Sequence, residues 1–218
     1  MLKIDNDRKV WITSDTHFNH TNICRGVTKW RMPNGEIPEE STRDFPNLEK
    51  MNSTIVNNIN EVVGQDDVLI HLGDWSFGGF EQIEEFRNRI ICKEIHLTFG
   101  NHDHHIEKNR ENCQRHFASS QWFLQLNYLG ETLELMHYPI SSWNGLAKGR
   151  IHLHGHCHLP NNKKFGKGRR MDIGMDGNVD FAPYDLRTVI NGMRKREVIS
   201  EMGIVDHHIT EIVNIDRT

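Results

Sequence analysis

Five short apolar runs in this chain share one feature: each is followed by side chains of the kind that bind cations. The runs are rich in Val, Ile and Leu, which predicts buried β-strands. The runs and the residues that follow them are Val10–Ser14 with Asp15 and His17, Val68–Leu72 with Asp74, Ile95–Phe99 with Asn101, His102 and Asp103, Thr132–Met136 with His137, and Ile151–His154 with His156 and His158. Ligands in open α/β sheets gather beyond the carboxyl ends of the strands. We therefore expect these side chains to converge on one site, with Asp74 at its centre.

Helical patterns separate the early runs and predict crossover helices. Apolar residues recur at spacings of three and four at Leu48, Met51, Ile55, Ile59 and Val62. Further helices are predicted near residues 83–90, 106–113 and 185–196, a hairpin turn at 128–131 and another strand at 171–175. The order predicts an α/β fold, an αββα sandwich with mixed β-sheets and a metal site at the C-terminal ends of the strands.

The chain length predicts one domain over residues 1–218, because 218 residues with 36% hydrophobic content can build one sizeable core. The motifs occupy residues 10–158. Residues 20–45 are polar, contain Gly26, Pro33, Gly35 and Pro38, and are predicted to form a long loop. Residues 159–218 are expected to complete the fold, with only a weak pattern in the last twenty.

Composition excludes several classes of protein. The net charge of −4 disfavours a protein built to hold nucleic acid through its phosphates. No apolar run approaches the length of a membrane span, and the charged N-terminus lacks the apolar segment of a signal peptide. The four cysteines form no C-x-x-C pair, which favours free thiols in a reducing, cytoplasmic setting. The sequence leaves the oligomeric state open.

The chemistry of the polar strand ends indicates divalent metal ions. Imidazole and carboxylate ligands suit Mn, Fe or Zn, and no cysteine lies where a thiolate ligand would be needed. In Asp15-x-His17 and His156-x-His158, side chains two residues apart can point to the same side of an extended segment, so Thr16 and Cys157 are expected to point away.

The ordered set of motifs resembles the calcineurin-like metallophosphoesterase family. The resemblance covers residues 10–158 and rests on Asp15-x-His17, Gly73-Asp74, Gly100-Asn101-His102-Asp103, His137 and Gly155-His156-x-His158. It implies that Asp15, His17 and His158 hold one metal ion and that Asn101, His137 and His156 hold a second. Asp74 would bridge the two. The longer aspartate- and arginine-rich extension of the protein serine/threonine phosphatase branch is missing after Trp75, which argues against a phosphoprotein substrate.

The resemblance also implies a catalytic role for His102, as the acid beside the leaving group, and we expect Asp103 to orient it. Two ions roughly 3.5 to 4 Å apart can activate a water and neutralise phosphoryl charge without a covalent intermediate. An acid positioned to protonate the leaving group accelerates the reaction roughly 100- to 10,000-fold.

Several further residues are candidates for binding substrate, each with a plain alternative. His20 lines the pocket or is a solvated loop residue. Trp143 stacks on a substrate ring, with Asn144 beside it, or anchors its loop by burial. Arg169 and Arg170, in the basic stretch 163–170, bind additional phosphate or belong to a solvated charged surface. For His154, packing or support of the ligands is favoured over direct ligation.

Together these features predict a two-metal phosphate ester hydrolase, a phosphodiesterase or phosphomonoesterase that prefers a small nucleotide-like substrate. One alternative is a metal-dependent nuclease. The other is a non-catalytic scaffold that uses the metal-binding face for a partner; such scaffolds usually lose ligands, and here every motif position is filled.

Overall fold

The computed structural model describes residues 1–200, which form two five-stranded sheets and four α-helices. The strands are β1 Leu2–Lys3, β2 Val10–Thr13, β3 Val68–His71, β4 Glu94–Thr98, β5 Ser119–Gln121, β6 Phe123–Tyr128, β7 Glu131–Met136, β8 Ile151–His154, β9 Arg170–Asp172 and β10 Tyr184–Asp185. The helices are α1 Leu48–Val62, α2 Phe80–Arg89, α3 His104–Lys108 and α4 Leu186–Arg194. Sheet A has the strand order β1-β6-β7-β8-β9, and sheet B has the order β10-β2-β3-β4-β5.

Sheet B carries three of the five polar strand ends. Strands β2, β3, β4 and β5 are parallel, whereas β10 pairs antiparallel with β2. The helix α1 connects β2 to β3, and its first turn is capped by the Asn47 side chain, which accepts the Lys50 N–H at 2.8 Å. Because parallel strands end at the same edge, Asp15, Asp74 and Asn101 emerge beside one another.

Sheet A carries the other two polar strand ends. Its hairpin β6–β7 turns through Leu129 and Gly130, with φ of 54° and 78°, the left-handed backbone that a tight type I′ turn requires. This confirms the predicted turn. Strands β7, β8 and β9 are parallel, so His137 and His156 emerge at one edge of this sheet.

The two sheets pack face to face around one hydrophobic core. Ile12 and Ile70 from sheet B meet Leu133 and Leu153 from sheet A in this layer, and α4 contributes buried residues to the same cluster. The opposite face of sheet B is covered by α1 and α2. The predicted α/β sandwich with two mixed sheets is confirmed. We propose that the chain is one domain, because both sheets share this core.

The predicted helix near residues 106–113 was too long. Helix α3 ends at Lys108, where the Gln114 side chain donates to the carbonyls of Ile106 and Glu107 at 3.0 and 2.8 Å. These bonds satisfy carbonyls at the end of the helix without another helical turn.

The strand predicted at 171–175 was also too long. Strand β9 ends at Asp172, and the chain then crosses to sheet B, where the Met175 N–H donates to the Ser14 carbonyl at 3.1 Å. Residues 20–45 contain two short 3-10 turns, at Thr21–Ile23 and Glu39–Ser41, and are otherwise loop, as predicted. The weakly patterned end of the chain, residues 201–218, lies outside the described residues. Within residues 1–200 no helix combines the length and apolar character needed to cross a membrane.

Candidate metal centre

The first group of predicted ligands comes together as the sequence indicated. Asp15 Oδ1 lies 3.8 Å from His17 Nε2 and 3.7 Å from His158 Nε2. The two Nε2 atoms are 3.1 Å apart. Three side chains from two sheets therefore present ligand atoms to a common point.

The second group also converges. The Asn101 side-chain oxygen lies 3.1 Å from His137 Nε2 and 2.9 Å from His156 Nδ1. These residues follow β4, β7 and β8, so this group also draws on both sheets.

Asp74 lies between the two groups. Its Oδ2 atom is 3.4 Å from His17 Nε2 and 3.5 Å from His137 Nε2. The other oxygen, Oδ1, accepts the His102 backbone N–H at 2.9 Å. One carboxylate oxygen thus faces a ligand from each group, which is the placement expected of a bridging ligand.

The hydrogen-bond partners of His137 indicate whether these residues can bind a cation. His137 Nδ1 lies 2.8 Å from the Leu72 carbonyl, which only accepts, so Nδ1 carries the proton and Nε2 presents a lone pair. That lone pair faces oxygens of Asp74 and Asn101, which are acceptors as well. Acceptors that face one another repel unless a cation lies between them. The residues therefore fit a divalent metal ion.

His158 repeats this arrangement. Its Nδ1 lies 2.7 Å from Asp176 Oδ2, which leaves Nε2 directed towards His17 and Asp15. Burial acts to lower the pKa of His158, but the hydrogen bond with Asp176 and the charge of Asp15 outweigh it and raise the pKa. A proton is therefore the competitor of a metal ion at this nitrogen.

Burial also shifts the pKa values of other predicted ligands. Burial, reinforced by Asp74, raises the pKa of Asp15 to about 8, although His158 opposes the shift. Burial lowers the pKa of His17 well below its ordinary value, and that of His137 as well. Neutral imidazoles are the form that binds metals, and nearby cations would stabilise the buried carboxylates.

The backbone at the ligands lies in an uncommon conformation. Asp15, His17, Asp74, His156 and His158 have φ between 49° and 71°, the left-handed region that residues with a Cβ rarely occupy. Such strain persists where the surrounding structure enforces it, and it concentrates at functional sites.

Two motif glycines allow the ligand loops to approach closely. A Cβ on Gly100 would overlap the Asp74 carboxylate, and a Cβ on Gly155 would overlap Asp15 and Ser14. The glycines of the Gly100 and Gly155 motifs are therefore needed because the carboxylates occupy the space of a side chain.

Asp103 is bound to the backbone of the loop that carries Asp74. Its carboxylate is buried and accepts three backbone N–H groups, from Asp74 at 2.7 Å, Trp75 at 2.9 Å and Gly100 at 2.8 Å. It makes no hydrogen bond to the His102 ring among residues 1–200. Asp103 thus fixes the backbone that carries Asp74, and its role in orienting His102 stays a prediction.

His102 and His20 lie in an aromatic group beside the ligands. The ring of Phe77 stacks on His20 with centroids 3.6 Å apart and lies 4.6 Å from the ring of His102. His102 lies 5.4 Å from the ring of His17. The pocket-lining alternative for His20 therefore agrees with its position.

A cavity of about 300 Å³ opens over this group. Besides the metal ligands it is lined by residues of the 20–45 loop, including Trp30, whose surface is 48% exposed. The loop thus forms a wall of the site, as a functional long loop would.

Two residues that hold the centre were not among the predicted site residues. Arg43, only 2% exposed, donates to the carbonyls of Asp15 and Thr16 and forms a two-bond pair with Asp176, with both bonds 2.8 Å long. Asp176 in turn accepts from His158. Asp176 lies in the 3-10 turn Met175–Gly177 that comes after β9, near a strand end of the kind that also carries the predicted ligands; Arg43 carries no local signal.

The other predicted substrate residues lie elsewhere. Trp143 is buried, donates from its indole nitrogen to the Arg150 carbonyl at 3.0 Å and packs on His152, which supports the anchoring alternative over stacking on substrate. Arg169 donates to the carbonyls of Gly149 and Arg194, contacts that occupy its guanidinium within the protein.

Asn144 and Arg170 also lie apart from the seven ligands. Asn144 is exposed beyond the Trp143 anchor. Arg170 lines a separate cavity of about 450 Å³ together with Lys163 and Lys164.

The fold and site define a two-sheet α/β protein with carboxylate, amide and imidazole ligands gathered at the strand ends. The family model described as calcineurin-like phosphoesterase matches residues 8–192, and the chain belongs to that family. This confirms the resemblance found in the motifs.

The chain is also similar to individual proteins in sequence and in fold. An uncharacterized protein of Methanocaldococcus jannaschii, MJ1445, is 29% identical over 197 residues, covering 88% of this chain and 95% of the relative. The gene 66 protein of Mycobacterium phage D29 is 25% identical over 213 residues, covering 85% and 98%. A protein of unknown function from Aquifex aeolicus, AQ665, has a similar fold, with a TM-score of 0.58 at 20% identity over 85% of this chain and 99% of that one.

Proposed function

We propose that this protein hydrolyses phosphate esters with two divalent metal ions, Mn, Fe or Zn. The observation that carries the proposal is the position of Asp74, whose Oδ2 atom faces His17 at 3.4 Å and His137 at 3.5 Å. Asp15, His17 and His158 would hold one ion, and Asn101, His137 and His156 the other, with Asp74 shared. Bound there, the ions supply charge neutralisation for phosphoryl oxygens and an activated water nucleophile.

His102 would act as the acid for the leaving group. Its backbone N–H is tied to Asp74 Oδ1, and its ring borders the cavity that also exposes His17 and His158. A substrate phosphoryl group near those ligands would have its leaving oxygen within reach of the imidazole. Protonation of that oxygen matters most for alkoxide leaving groups, which depart slowly without a proton.

Three residues would support the ligands. Asp176 holds the His158 ring through Nδ1, Arg43 fixes Asp176 and the Asp15 carbonyl, and Asp103 fixes the Asp74 backbone. Carboxylates that orient a ligand histidine set its tautomer and raise its basicity.

We further propose that the substrate is small and carries an aromatic or nucleoside group. The exposed indole of Trp30 lines the cavity that contains the metal ligands, and a flat apolar surface beside a phosphate site suits a stacked base. The volume of about 300 Å³ suits a small ligand better than the backbone of a long nucleic acid.

A substrate panel tests the reaction. Protein loaded with Mn, Zn, Fe or Mg is assayed on bis-p-nitrophenyl phosphate, p-nitrophenyl phosphate and duplex or single-stranded DNA. We expect metal-dependent turnover of the small esters. Turnover of DNA at catalytic enzyme levels, with poor turnover of the small esters, would support the nuclease alternative. Turnover of none, with metal bound, would support the scaffold.

The role of Trp30 is tested with two diesters that share p-nitrophenol as leaving group, thymidine 5′-p-nitrophenyl phosphate and methyl p-nitrophenyl phosphate. Stacking on a base is worth about 1–3 kcal/mol, so Trp30→Ala should raise KM for the nucleoside ester about 5- to 150-fold relative to the methyl ester. Trp122→Ala is the matched control, because Trp122 is 44% exposed and packs on Phe99 away from this cavity. Equal changes for both esters would rule out stacking on the nucleoside.

A further inference from the structure

A second group of potential metal-binding side chains adjoins the seven predicted ligands and includes none of them. His154, Cys157 and Asp172 each offer one ligand atom, and these atoms all lie within 4.8 Å of one another. His154 and Asp172 are register partners on the adjacent strands β8 and β9, and Cys157 comes from the loop that carries His156 and His158. The group shares no side chain with the centre described above.

The carboxylate of Asp172 is left without a full set of partners. The residue is completely buried, and its Oδ1 atom accepts the Gly174 N–H at 2.8 Å. Its Oδ2 atom has no hydrogen-bond partner within residues 1–200. An unpartnered buried oxygen of this kind is costly, and a bound cation is one way to satisfy it.

The hydrogen bonding of His154 also favours a bound cation. Its Nδ1 atom lies 2.9 Å from the Gly155 carbonyl, so Nδ1 carries the proton and Nε2 presents a lone pair. The three residues therefore include an imidazole with a lone pair, a carboxylate with an unsatisfied oxygen and a thiol.

We propose that His154, Cys157 and Asp172 bind a third divalent cation, of the borderline type that zinc represents. Imidazole, thiolate and carboxylate are the three ligand types of protein zinc sites, and two anionic ligands balance the charge of the ion. The fourth position would open to the cavity of about 450 Å³ that His154 and Cys157 help to line. Bound there, the ion would tie β8 and β9 to the loop that presents His156 and His158.

We expect this site to bind cations with lower affinity than the main centre, which is the site formed by the seven predicted ligands. Three basic side chains, Lys163, Lys164 and Arg170, line the same cavity and oppose a cation. On stepwise dialysis against a chelator, the third ion should therefore be the first to leave. The inference does not depend on the proposed hydrolysis.

The experiment uses the full chain loaded with zinc for metal counting and with cobalt for absorption spectra. We expect three zinc ions per chain in the wild type and two in Cys157→Ser. We also expect a thiolate-to-cobalt charge-transfer band in the near ultraviolet that Cys157→Ser loses. Cys24→Ser is the control, because Cys24 is a buried thiol that donates to the Phe45 carbonyl, and it should keep both the third ion and the band.

A variant of the main centre separates this inference from the proposed function. Asp74→Asn should lose metal at the main centre and retain the cobalt–thiolate band. Two zinc ions in both the wild type and Cys157→Ser, or the absence of the band from wild-type protein, would overturn the third site and leave the main centre unaffected.

Discussion

Two neighbouring loops of this protein each carry a buried aspartate, and the two carboxylates have opposite surroundings. Asp103 is 1% exposed and receives three backbone N–H groups. Asp74 is 2% exposed, and its Oδ2 atom faces imidazole nitrogens, of which that of His137 presents a lone pair. Residue type and burial are the same, but both oxygens of Asp103 accept backbone N–H groups, whereas Asp74 accepts one through Oδ1 and its Oδ2 atom faces the lone pair of His137.

The difference teaches how to distinguish a metal ligand from a structural carboxylate. Burial, reinforced by Asp74, raises the pKa of Asp103 to about 7 against the opposing effect of its three amide donors. Those donors give Asp103 the partners that a structural carboxylate needs. The Oδ2 atom of Asp74 lacks such donors, and a bound cation would complete its surroundings.

The largest expected effect is that of replacing each aspartate by asparagine. Asp74→Asn should abolish metal-dependent activity and the binding of the metal ions that Asp74 bridges. The metal-free variant should be as stable as wild type or about 1 kcal/mol more stable, because an amide NH₂ can donate to the facing acceptors. Asp103→Asn should lower the free energy of unfolding by about 1–3 kcal/mol, since backbone donors lose their partner. Thermal unfolding in EDTA and metal titration measure both.

The control for this pair is Asp5→Asn, a change at an exposed aspartate, which should alter neither property. Strong destabilisation of the metal-free protein by Asp74→Asn would show that Asp74 is a structural carboxylate like Asp103.

The next effect concerns His102, which belongs to the Asp103 loop but faces the cavity. His102→Gln should keep metal and reduce turnover of an alkyl phosphate ester roughly 100- to 10,000-fold. The reduction should be much smaller for a p-nitrophenyl ester, because p-nitrophenolate leaves without a proton. Full activity of the variant on the alkyl ester would exclude His102 as the acid.

A smaller effect is expected at Asp176, which supports the His158 side of the centre. Asp176→Asn weakens the hydrogen bond that orients the imidazole, so metal affinity should fall about 10- to 100-fold, with activity recovered at high metal concentration. Isothermal titration with Mn measures the affinity. If excess metal fails to restore activity, Asp176 has a role beyond support of His158.

The smallest expected effect is that of pH on metal binding. The pKa of His158 is raised by Asp176 and Asp15 against the effect of burial, so its proton is bound more tightly than usual and competes with metal. As pH falls below neutrality the protonated fraction grows, and metal affinity should fall, with clear loss below about pH 6. Asp176→Asn lowers that pKa and should shift the loss to lower pH. Unchanged metal occupancy at about pH 5 would contradict histidine coordination.

Much of the fold and the centre was predictable from local patterns. Each of the seven predicted ligands lies within a few residues of the end of an apolar run, and parallel strands bring such ends together whatever their separation in sequence. Helix α1 follows from its apolar spacing, and the observed helix Leu48–Val62 contains the whole apolar stripe that predicts it.

What was not predictable depends on contacts between distant segments. The role of Asp103 is set by the amides of Asp74 and Trp75, which only the fold brings near. Arg43 reaches Asp176 across 133 positions of sequence. The sequence does not distinguish the roles of Trp143 and Trp30. In the fold, Trp143 is buried against His152, whereas Trp30 borders the predicted metal ligands.

Anomalous diffraction from crystals soaked in Mn tests the central claim most directly. We expect two peaks that share the Asp74 carboxylate, one contacting Asp15, His17 and His158 and the other contacting Asn101, His137 and His156. A single peak, or peaks bound elsewhere while Asp74 keeps only protein contacts, would contradict the account.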